Sequence, residues 1–353
     1  MSAHKDQQFG SDNYAGMCPE VMQAIGNANQ HHVGSYGADD VTQAACDKIR
    51  EFFDTDCEVF FVFNGTAANA LALSSLCQSY NSVICQRQAH VDVDECGAPE
   101  FFTPGIKLIS ATGINGKLRP EDIDRLADVE TDNFHGHKPG ALTLTQATEC
   151  GTVYTPDEIK ALTNCARKFG LHTHMDGARF ANAVTSLDCS PADITWKAGV
   201  DVLSLGGTKN GLGLGEAVVF FKPELAKDFE WRCKQAGQLC SKMRVLSSQW
   251  IGILDGNVWR KNAQHANAMA QRLADGISAA TKTSLNYPVE ANAVFVDLSE
   301  EVTQQLHAKG WHFYQFPGAG SRLMCAWDTL PSTVDSFLFD LKSCLKTDST
   351  NNE

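Results

Sequence analysis

The stretch that most constrains the fold runs from Asp201 to Phe221 and reads DVLSLGGTKNGLGLGEAVVFF. Residues 201–205 and 217–221 are apolar runs without alternation, which is typical of short strands covered on both faces. The glycines between them permit positive φ and a close approach of the backbone to a ligand. Lys209 lies at the centre of this loop. A lysine held between core strands is poorly solvated, which favours a nucleophilic free amine; a solvated lysine in a flexible turn is the alternative.

A second apolar run, residues 171–175, ends at Asp176. Ligands of open α/β sheets bind at the carboxyl ends of the strands, and the chain between Asp176 and Lys209 is long enough for one crossover helix and the next strand. We therefore expect this acid and this lysine side by side at one sheet edge. Pyridoxal 5'-phosphate requires such a pair: a lysine that bonds to its aldehyde carbon and a carboxylate that keeps its pyridine nitrogen protonated. Capping of the following helix is the other role open to Asp176.

Composition narrows the classes of protein. The chain has 353 residues, of which 43% are hydrophobic, enough for a large core and two domains. Its net charge of −13 disfavours nucleic acid and anionic membranes as partners. No apolar run is long enough to span a bilayer and no signal-peptide core is found near Met1, so a cytoplasmic enzyme is expected. The 13 scattered cysteines form no Cys-x-x-Cys pair, which favours buried thiols over a metal or disulfide framework.

Strands alternate with helices over the first two thirds of the chain, which predicts a mostly parallel, doubly wound sheet. Gly65 and Thr66 follow the predicted strand 58–63 and begin a helix, where free N–H groups bind a phosphate; an ordinary capped turn is the alternative. His90 follows the strand 82–85. A histidine there can stack on a planar cofactor and take up a proton, although a lone histidine is more often structural.

The pattern changes in the last third. Residues 230–254 are predicted to form one long helix, and a smaller α+β domain follows. The predicted domains are residues 1–253, comprising an N-terminal arm and the large domain, and residues 254–353, ending in a disordered polar tail from residue 347. Arg322 begins an apolar strand, where its charge needs a partner. A substrate carboxylate would bind its guanidinium bidentately, and a structural ion pair is the alternative.

The order of these motifs resembles the low-specificity L-threonine aldolase family, pyridoxal-phosphate enzymes of fold type I, the aspartate aminotransferase fold. The similarity is greatest to a bacterial branch that includes phenylserine aldolase-like members. It extends over nearly the whole chain. The motifs that carry it are Ser11-Asp12, Ser35-Tyr36-Gly37-Ala38-Asp39-Asp40, Asn64-Gly65-Thr66, His90 with Glu95, His174-Met175-Asp176-Gly177-Ala178-Arg179, Gly207-Thr208-Lys209-Asn210-Gly211, Lys242-Met243-Arg244 and Arg322.

The resemblance implies three catalytic residues. Lys209 binds the cofactor covalently, Asp176 pairs with its pyridine nitrogen, and His90 stacks on its ring and acts as the base. Residues implied to bind the phosphate are Gly65 and Thr66. Residues implied to bind or support the substrate are Ser11, Tyr36, Glu95, Arg179 and Arg322. Arg244, a cofactor-binding residue, and Tyr36 are implied to reach the site of a neighbouring subunit, so a homodimer or homotetramer is expected.

The expected reaction is retro-aldol cleavage of L-threonine, L-allo-threonine and related β-hydroxy-α-amino acids to glycine and an aldehyde. Alternatives are a phenylserine aldolase, a β-eliminating lyase, a glycine hydroxymethyltransferase or a catalytically silent cofactor-binding protein. One segment departs from the family. Many relatives have Asn-Thr-His, with the histidine near the substrate side chain, where this chain reads Gln146-Ala147-Thr148-Glu149. Thr148 in place of that histidine leaves the preferred side chain open.

Overall fold

The computed structural model describes residues 7–128, 134–281, 284–316 and 318–351. These residues form a large seven-stranded sheet and a separate three-stranded sheet, with helices packed around both. The mostly parallel α/β architecture predicted from the sequence is confirmed. The strands of the large sheet are β1 Glu58–Val62, β2 Asn81–Gln86, β3 Lys107–Ala111, β4 Lys138–Thr145, β5 His172–Gly177, β6 Val202–Leu205 and β7 Glu216–Phe220.

The large sheet has the strand order β1-β7-β6-β5-β4-β2-β3. Strands β2 to β6 pair in parallel, and β7 is antiparallel to both β6 and β1. Neighbouring strand residues contribute to opposite cores: Val83 and Val218 belong to the core on one face, whereas Ile84 and Val219 belong to the core on the other. The uninterrupted apolar runs therefore reflect a sheet that is covered on both faces.

Helices cover the two faces and fill the C-terminal third. Their starts follow local capping chemistry: Asp39 accepts the N–H of Thr42, and Thr155 forms a capping box with Glu158. The helices are α1 Pro19–Ala28, α2 Asp40–Phe53, α3 Gly65–Leu76, α4 His90–Val93, α5 Ala98–Phe102, α6 Pro120–Ala127, α7 Pro156–Lys168, α8 Phe180–Leu187, α9 Phe229–Gln235, α10 Met243–Leu254, α11 Val258–Thr281, α12 Glu300–Ala308 and α13 Pro331–Asn351.

The single helix predicted over residues 230–254 is wrong. The structure has α9 and α10 there, separated by an irregular segment. Gly237 adopts φ +71° and ends the first helix, as left-handed glycines commonly do. Gln238 then turns its side chain inward, where its carbonyl accepts the N–H of Phe63 at 2.9 Å. The interruption thus ties this segment to the end of β1.

The small sheet has the antiparallel order β8-β10-β9, with β8 Ala293–Val296, β9 Tyr314–Phe316 and β10 Gly320–Met324. Arg322 lies in the middle of β10 rather than at the start of a strand. Helix α13 includes residues 347–351 of the segment predicted to be a disordered tail, because no glycine or proline interrupts it there. Residues 352–353 lie outside the described residues.

The two ends of the chain meet in the core of the small sheet. Phe9 is fully buried against Trp311 and Phe337, with ring centroids 5.9 and 5.3 Å apart. Helix α11 joins both parts of the molecule, since Trp259 belongs to the large core and Leu273 to the small one. The N-terminal arm and α11 therefore both contribute to the core around the small sheet. The domain boundary at residue 254 stays a prediction.

The described residues contain neither a membrane-spanning helix nor a group of side chains arranged to bind a metal ion. None of their helices is long and apolar enough to cross a membrane. No group of three or more His, Cys, Asp or Glu side chains within them is placed to hold a metal ion.

Candidate active site

The carboxyl edge of the large sheet brings Asp176 and Lys209 together. In the β5–β6 register Asp176 lies opposite Ser204, and the N–H of Gly206 donates to the carbonyl of Gly177 at 3.0 Å. Lys209 follows three residues later in the 3₁₀ turn Thr208–Asn210. The two residues are close enough for their charges to interact. The acid and the lysine therefore lie at one sheet edge, as the sequence predicted.

The surroundings of Lys209 favour its neutral amine. Burial is the main cause that lowers its pKa, and the guanidinium of Arg179 lowers it further. The carboxylates of Asp12, Asp176 and Glu216 act in the opposite direction without reversing the shift. A lysine with a lowered pKa is a nucleophile near neutral pH, which is what bonding to an aldehyde requires.

The carboxylate of Asp176 is held at both oxygens. Asn69 donates to Oδ2 and the main-chain N–H of Ala178 donates to Oδ1, both at 2.9 Å. The N-cap of helix α8 is Arg179, so Asp176 does not cap that helix. This geometry fixes a buried acceptor at the end of β5, in the position that a protonated ring nitrogen would use.

Asn69 also connects Asp176 to a second carboxylate. Its amide donates to Glu95 Oε1 at 2.8 Å, and His90 Nδ1 lies 2.8 Å from the same oxygen. The hydrogen bond to Glu95 is the main cause that raises the pKa of His90; burial opposes it and the charge of Asp176 adds to it. The sequence reasoning missed Asn69. The available signal was a single amide within α3, whose other buried residues are small or aliphatic.

Glu149 is another residue with no role assigned from the sequence. Its Oε1 accepts the main-chain N–H of His90 at 2.9 Å. Burial, followed by the charge of Asp176, raises its pKa to about 7. Thr148 instead bonds within its own turn, to the hydroxyl of Thr152 at 2.7 Å. In the segment that departs from the family, Glu149 rather than Thr148 therefore contacts His90.

Arg179 is paired with a buried acid. Its Nε and Nη2 donate to the two oxygens of Asp12 at 2.7 and 2.9 Å, and Asn292 donates to Asp12 Oδ2 at 3.0 Å. Burial works against ionisation, yet Arg179 holds the pKa of Asp12 below its ordinary value. Ser11, the neighbour of Asp12, caps a short 3₁₀ turn through the N–H of Asn13. Asp12 had no assigned role in the sequence, and here it fixes the arginine implied to bind substrate.

Arg322 has a guanidinium N–H group for which the described part of the chain offers no acceptor. Its Nη2 donates to the carbonyl of Gly10 at 3.0 Å, and its guanidinium lies 4.5 Å from the ring centroid of Phe316. Its Nε is buried and has no acceptor among the described residues. Burial, with the nearby charge of Arg179, lowers the pKa of Arg322 to about 10. An added carboxylate would supply the missing acceptor beside Ser11.

Helix α3 begins next to the lysine loop. The N–H of Gly215 donates to the carbonyl of Phe63 at 3.2 Å, which joins the end of that loop to the end of β1. Asn64 caps α3 by accepting the N–H of Ala67 at 2.9 Å. A helix leaves its first N–H groups unbonded, and a side chain at Gly65 would meet only open space. Gly65 and the adjacent Thr66 therefore present N–H groups to an anion.

Arg244 and Tyr36 lie elsewhere on the chain. Arg244 Nη1 donates to the carbonyls of Gln30 and His31 at 2.6 and 3.2 Å. Tyr36 is 46% exposed, with the ammonium of Lys234 4.8 Å from its ring centroid. Their contacts are with loops of this surface rather than with the Lys209 cluster. Their implied role in a neighbouring subunit's site stays a prediction.

The residues fit pyridoxal 5'-phosphate. A lysine of lowered pKa, a carboxylate fixed at two oxygens and an open helix N-terminus meet at one sheet edge. Each matches a different part of the cofactor: its aldehyde carbon, its ring nitrogen and its phosphate. Together with the strand order, they define the class of fold type I pyridoxal-phosphate enzymes.

Comparison with known proteins identifies the family. A family model described as beta-eliminating lyase matches residues 8–301. The low specificity L-threonine aldolase of Pseudomonas sp. strain NCIMB 10558 is 53% identical over 97% of this chain and 99% of its own. The one from Pseudomonas aeruginosa is 56% identical over 95% and 97%. The chain belongs to the low-specificity L-threonine aldolase family, as its motifs predicted.

Solved structures agree with this assignment. A threonine aldolase from Leishmania major is 28% identical with a TM-score of 0.89, covering 95% of this chain and 98% of that one. A structure of SPT with a PLP internal aldimine has a TM-score of 0.72 over 96% and 87%. Its identity of 17% supports the fold alone.

Proposed function

We propose that this protein uses pyridoxal 5'-phosphate to cleave L-threonine, L-allo-threonine and related β-hydroxy-α-amino acids to glycine and an aldehyde. The observation that carries the proposal is the pairing of Lys209, whose pKa is lowered by burial, with Asp176, whose two oxygens are fixed by Asn69 and Ala178. The relatives at 53 and 56% identity carry the name of this activity.

Three elements would hold the cofactor. Lys209 would bond to its aldehyde carbon, Asp176 would bind its ring nitrogen, and the N–H groups of Gly65 and Thr66 would bind its phosphate. When bound, the cofactor supplies a ring that accepts the electron pair released from the Cα–Cβ bond of the substrate. The chain's own contribution is to position the substrate and to manage its protons.

Arg322 is the residue best placed to bind the substrate carboxylate. Its Nε lacks an acceptor and its Nη2 is anchored on Gly10, which directly precedes Ser11. Arg179 is already paired with Asp12, so we assign it a role other than binding the substrate. Its positive charge near Lys209 favours the free amine of that lysine. A carboxylate clamped at one end of the substrate fixes the direction of its Cα–Cβ bond.

His90 is the residue we assign to take the proton of the β-hydroxyl group. Its Nδ1 is engaged by Glu95 at 2.8 Å, which leaves Nε2 as the nitrogen with a free lone pair. Asp94 Oδ2 lies 3.6 Å from Nε2, beyond hydrogen-bond distance. The imidazole is thus oriented at Nδ1 and open at Nε2, as a general base requires.

The test is a product assay on spectroscopically characterised protein. Purified protein should be yellow, and borohydride should attach the cofactor to Lys209, as peptide mass spectrometry would establish. Addition of L-threonine should release glycine and acetaldehyde in equal amounts. From L-threonine, 2-oxobutyrate and ammonia would indicate β-elimination instead, and activity confined to phenylserine would move the assignment to a phenylserine aldolase. A colourless protein that takes up no cofactor would overturn the proposal.

We further propose a homodimeric or homotetrameric protein of the cytoplasm. The oligomeric assembly is supported by the surface that carries Arg244 and Tyr36. The N–H of Tyr36 donates to the carbonyl of Ser241, which joins the loops before α2 and α10 into one exposed face. All 13 cysteines are free thiols, which fits a reducing compartment. Size-exclusion chromatography with light scattering would measure the oligomeric state.

A further inference from the structure

The position of His90 depends on two carboxylates. Glu95 engages the ring at Nδ1, as described above, and orients the imidazole about its side-chain bonds. Glu149 engages the main chain, accepting the N–H of His90 at 2.9 Å. Ala89, the residue before His90, offers no side-chain acceptor of its own. Among the described residues, the only acceptor for this N–H is therefore Glu149, which lies in the connection that follows β4.

The turn that presents Glu149 is rigid. The side chain of Gln146 bonds both the N–H and the carbonyl of Tyr154, at 3.0 and 2.8 Å. Within the turn, the N–H of Thr148 donates to the carbonyl of Thr152 at 2.9 Å. The turn is also fastened to the end of β5, since the N–H of Gln146 donates to the carbonyl of Asp176 at 2.8 Å. A carboxylate on this turn is thus fixed relative to the acid that pairs with the cofactor.

Glu149 lies among charged and polar groups, and one of its two oxygens contacts His90. Its second oxygen, Oε2, is buried and receives no hydrogen bond from the described residues. Of the charged groups around it, Asp176 disfavours its ionised form, whereas the N–H of His90 and the hydroxyl of Thr145 favour it. Arg179 faces it from the start of α8. Glu149 thus interacts electrostatically with both Asp176 and Arg179.

We propose that Glu149 is a positioning residue for the base: by holding the main-chain N–H of His90, it sets the distance of the imidazole from the substrate. The kinetic part of this inference rests on the proposed cleavage reaction. The structural part does not, because it concerns only the placement of one imidazole ring. No other segment of the described chain supplies an equivalent contact to His90.

The experiment compares three variants of the full-length protein as purified with its cofactor. Glu149→Ala removes the acceptor, Glu149→Gln keeps a carbonyl acceptor without the charge, and Glu290→Ala is the matched control. Val153 belongs to the same turn as Glu149, and its N–H donates to the carboxylate of Glu290 at 2.7 Å. This contact does not involve His90. The readouts are kcat and KM for L-threonine, cofactor affinity, and the NMR signal and pKa of His90 in histidine-labelled protein.

For Glu149→Ala we expect kcat to fall about 10- to 100-fold, with KM and cofactor affinity within about threefold, because the imidazole is displaced by a fraction of an ångström. The His90 signal should shift. Glu149→Gln should recover kcat to within about threefold, since its carbonyl restores the contact. Glu290→Ala should leave both kcat and the His90 signal at wild-type values.

Three results would overturn the inference: unchanged kcat in Glu149→Ala, an equal loss in Glu290→Ala, or an unshifted His90 signal in Glu149→Ala. Failure of the proposed function is separable from these. If the wild-type protein releases no glycine or acetaldehyde, the cleavage assignment fails, whereas the comparison of His90 signals between Glu149→Ala and Glu290→Ala still decides the positioning role.

Discussion

Lys209 is the residue on which the proposed chemistry depends. It combines burial, which lowers its pKa, with the neighbouring acid Asp176. We expect Lys209→Ala to lose the covalent attachment of cofactor under borohydride and to lose at least about a thousandfold in kcat, because no other amine can take its place. Lys309→Ala, which removes an exposed lysine paired with Asp340, is the control and should retain both properties. Turnover by Lys209→Ala without added amine would contradict the assignment.

The pH dependence of cleavage should report the pair formed by His90 and Glu95. The hydrogen bond from the ring to Glu95 favours the imidazolium form and raises the pKa of His90. A protonated imidazole cannot accept the β-hydroxyl proton, so kcat/KM should fall as pH drops through that raised value, above about 6.5. Glu95→Gln removes the charge, which should move this acidic limb to lower pH. An acidic limb that stays in place would exclude His90 as the titrating base.

The sequence predicted residues better than it predicted their partners. Lys209 and Asp176 could be placed together because strand polarity alone brings their ends to one edge. Asn69, Glu149 and Asp12 were missed because each acts through a hydrogen bond to a residue distant in the chain, such as Asp12 to Arg179. Such pairs depend on the packing of elements, which a local pattern does not encode.

At the scale of elements, predictions succeeded where capping chemistry is local. The helix predicted to begin at Gly65 is α3, which starts at that residue and is capped by Asn64. The break between α9 and α10 was missed because the turn at Gly237 is stabilised from outside, by the bond from Gln238 to Phe63. The helical periodicity of the sequence continues across this break, so the pattern alone predicts one helix. The short helix α4 was missed for a similar reason, since four residues carry too little periodicity.

The N-cap of helix α3 should contribute both to the stability of the protein and to its affinity for the cofactor. Asn64→Ala removes the acceptor for the N–H of Ala67 and should lower the free energy of unfolding by about 1 kcal/mol. The helix start also presents Gly65 and Thr66, so cofactor affinity should weaken as well. Thr155→Ala removes the cap of α7, which accepts the N–H of Glu158, and should lower stability alone. Denaturant titration and cofactor titration of both variants would separate the two effects.

At the scale of the whole molecule, Asp12 joins the N-terminal arm to both sheets. It binds Arg179 after β5 and Asn292 before β8. Asp12→Asn would leave a buried guanidinium without its counterion and should lower the free energy of unfolding by roughly 3 to 5 kcal/mol. Asp335→Asn breaks the exposed pair with Arg272 and should cost less than about 1 kcal/mol.

The same ion pair gives a pH dependence of stability with a defined sign. The pKa of Asp12 is lowered in the folded state. Its contribution is therefore fully present above the ordinary pKa of 3.8 and is lost as pH falls through the lowered folded value. Acid titrations of unfolding should show a smaller loss in Asp12→Asn than in the wild type. Parallel curves for the two proteins would rule out this source of acid sensitivity.

Sharing of active sites between subunits can be tested by mixing two inactive variants. Lys209→Ala and Arg244→Ala should each be impaired if Arg244 acts in a neighbouring subunit. A hybrid dimer would then hold one site with both residues intact, so a random equal mixture should regain about a quarter of wild-type activity after dissociation and reassembly. Lys209→Ala mixed with Asp176→Ala is the control and should regain no activity, because the two residues belong to one subunit's site and a hybrid dimer has no site with both intact. Absence of recovery in the first mixture would place Arg244 in its own subunit's site or in none.

The burial of Phe9 against Trp311 and Phe337 has a consequence for how the chain is made. During synthesis, Phe9 emerges well before Trp311 and Phe337, its two ring partners. At 5 to 20 residues per second, roughly 15 to 70 s separate them. Throughout that interval the arm has no core to enter and exposes a phenylalanine to chaperones and proteases. Once the small core is complete, Phe9 is buried and chaperones and proteases can no longer bind it.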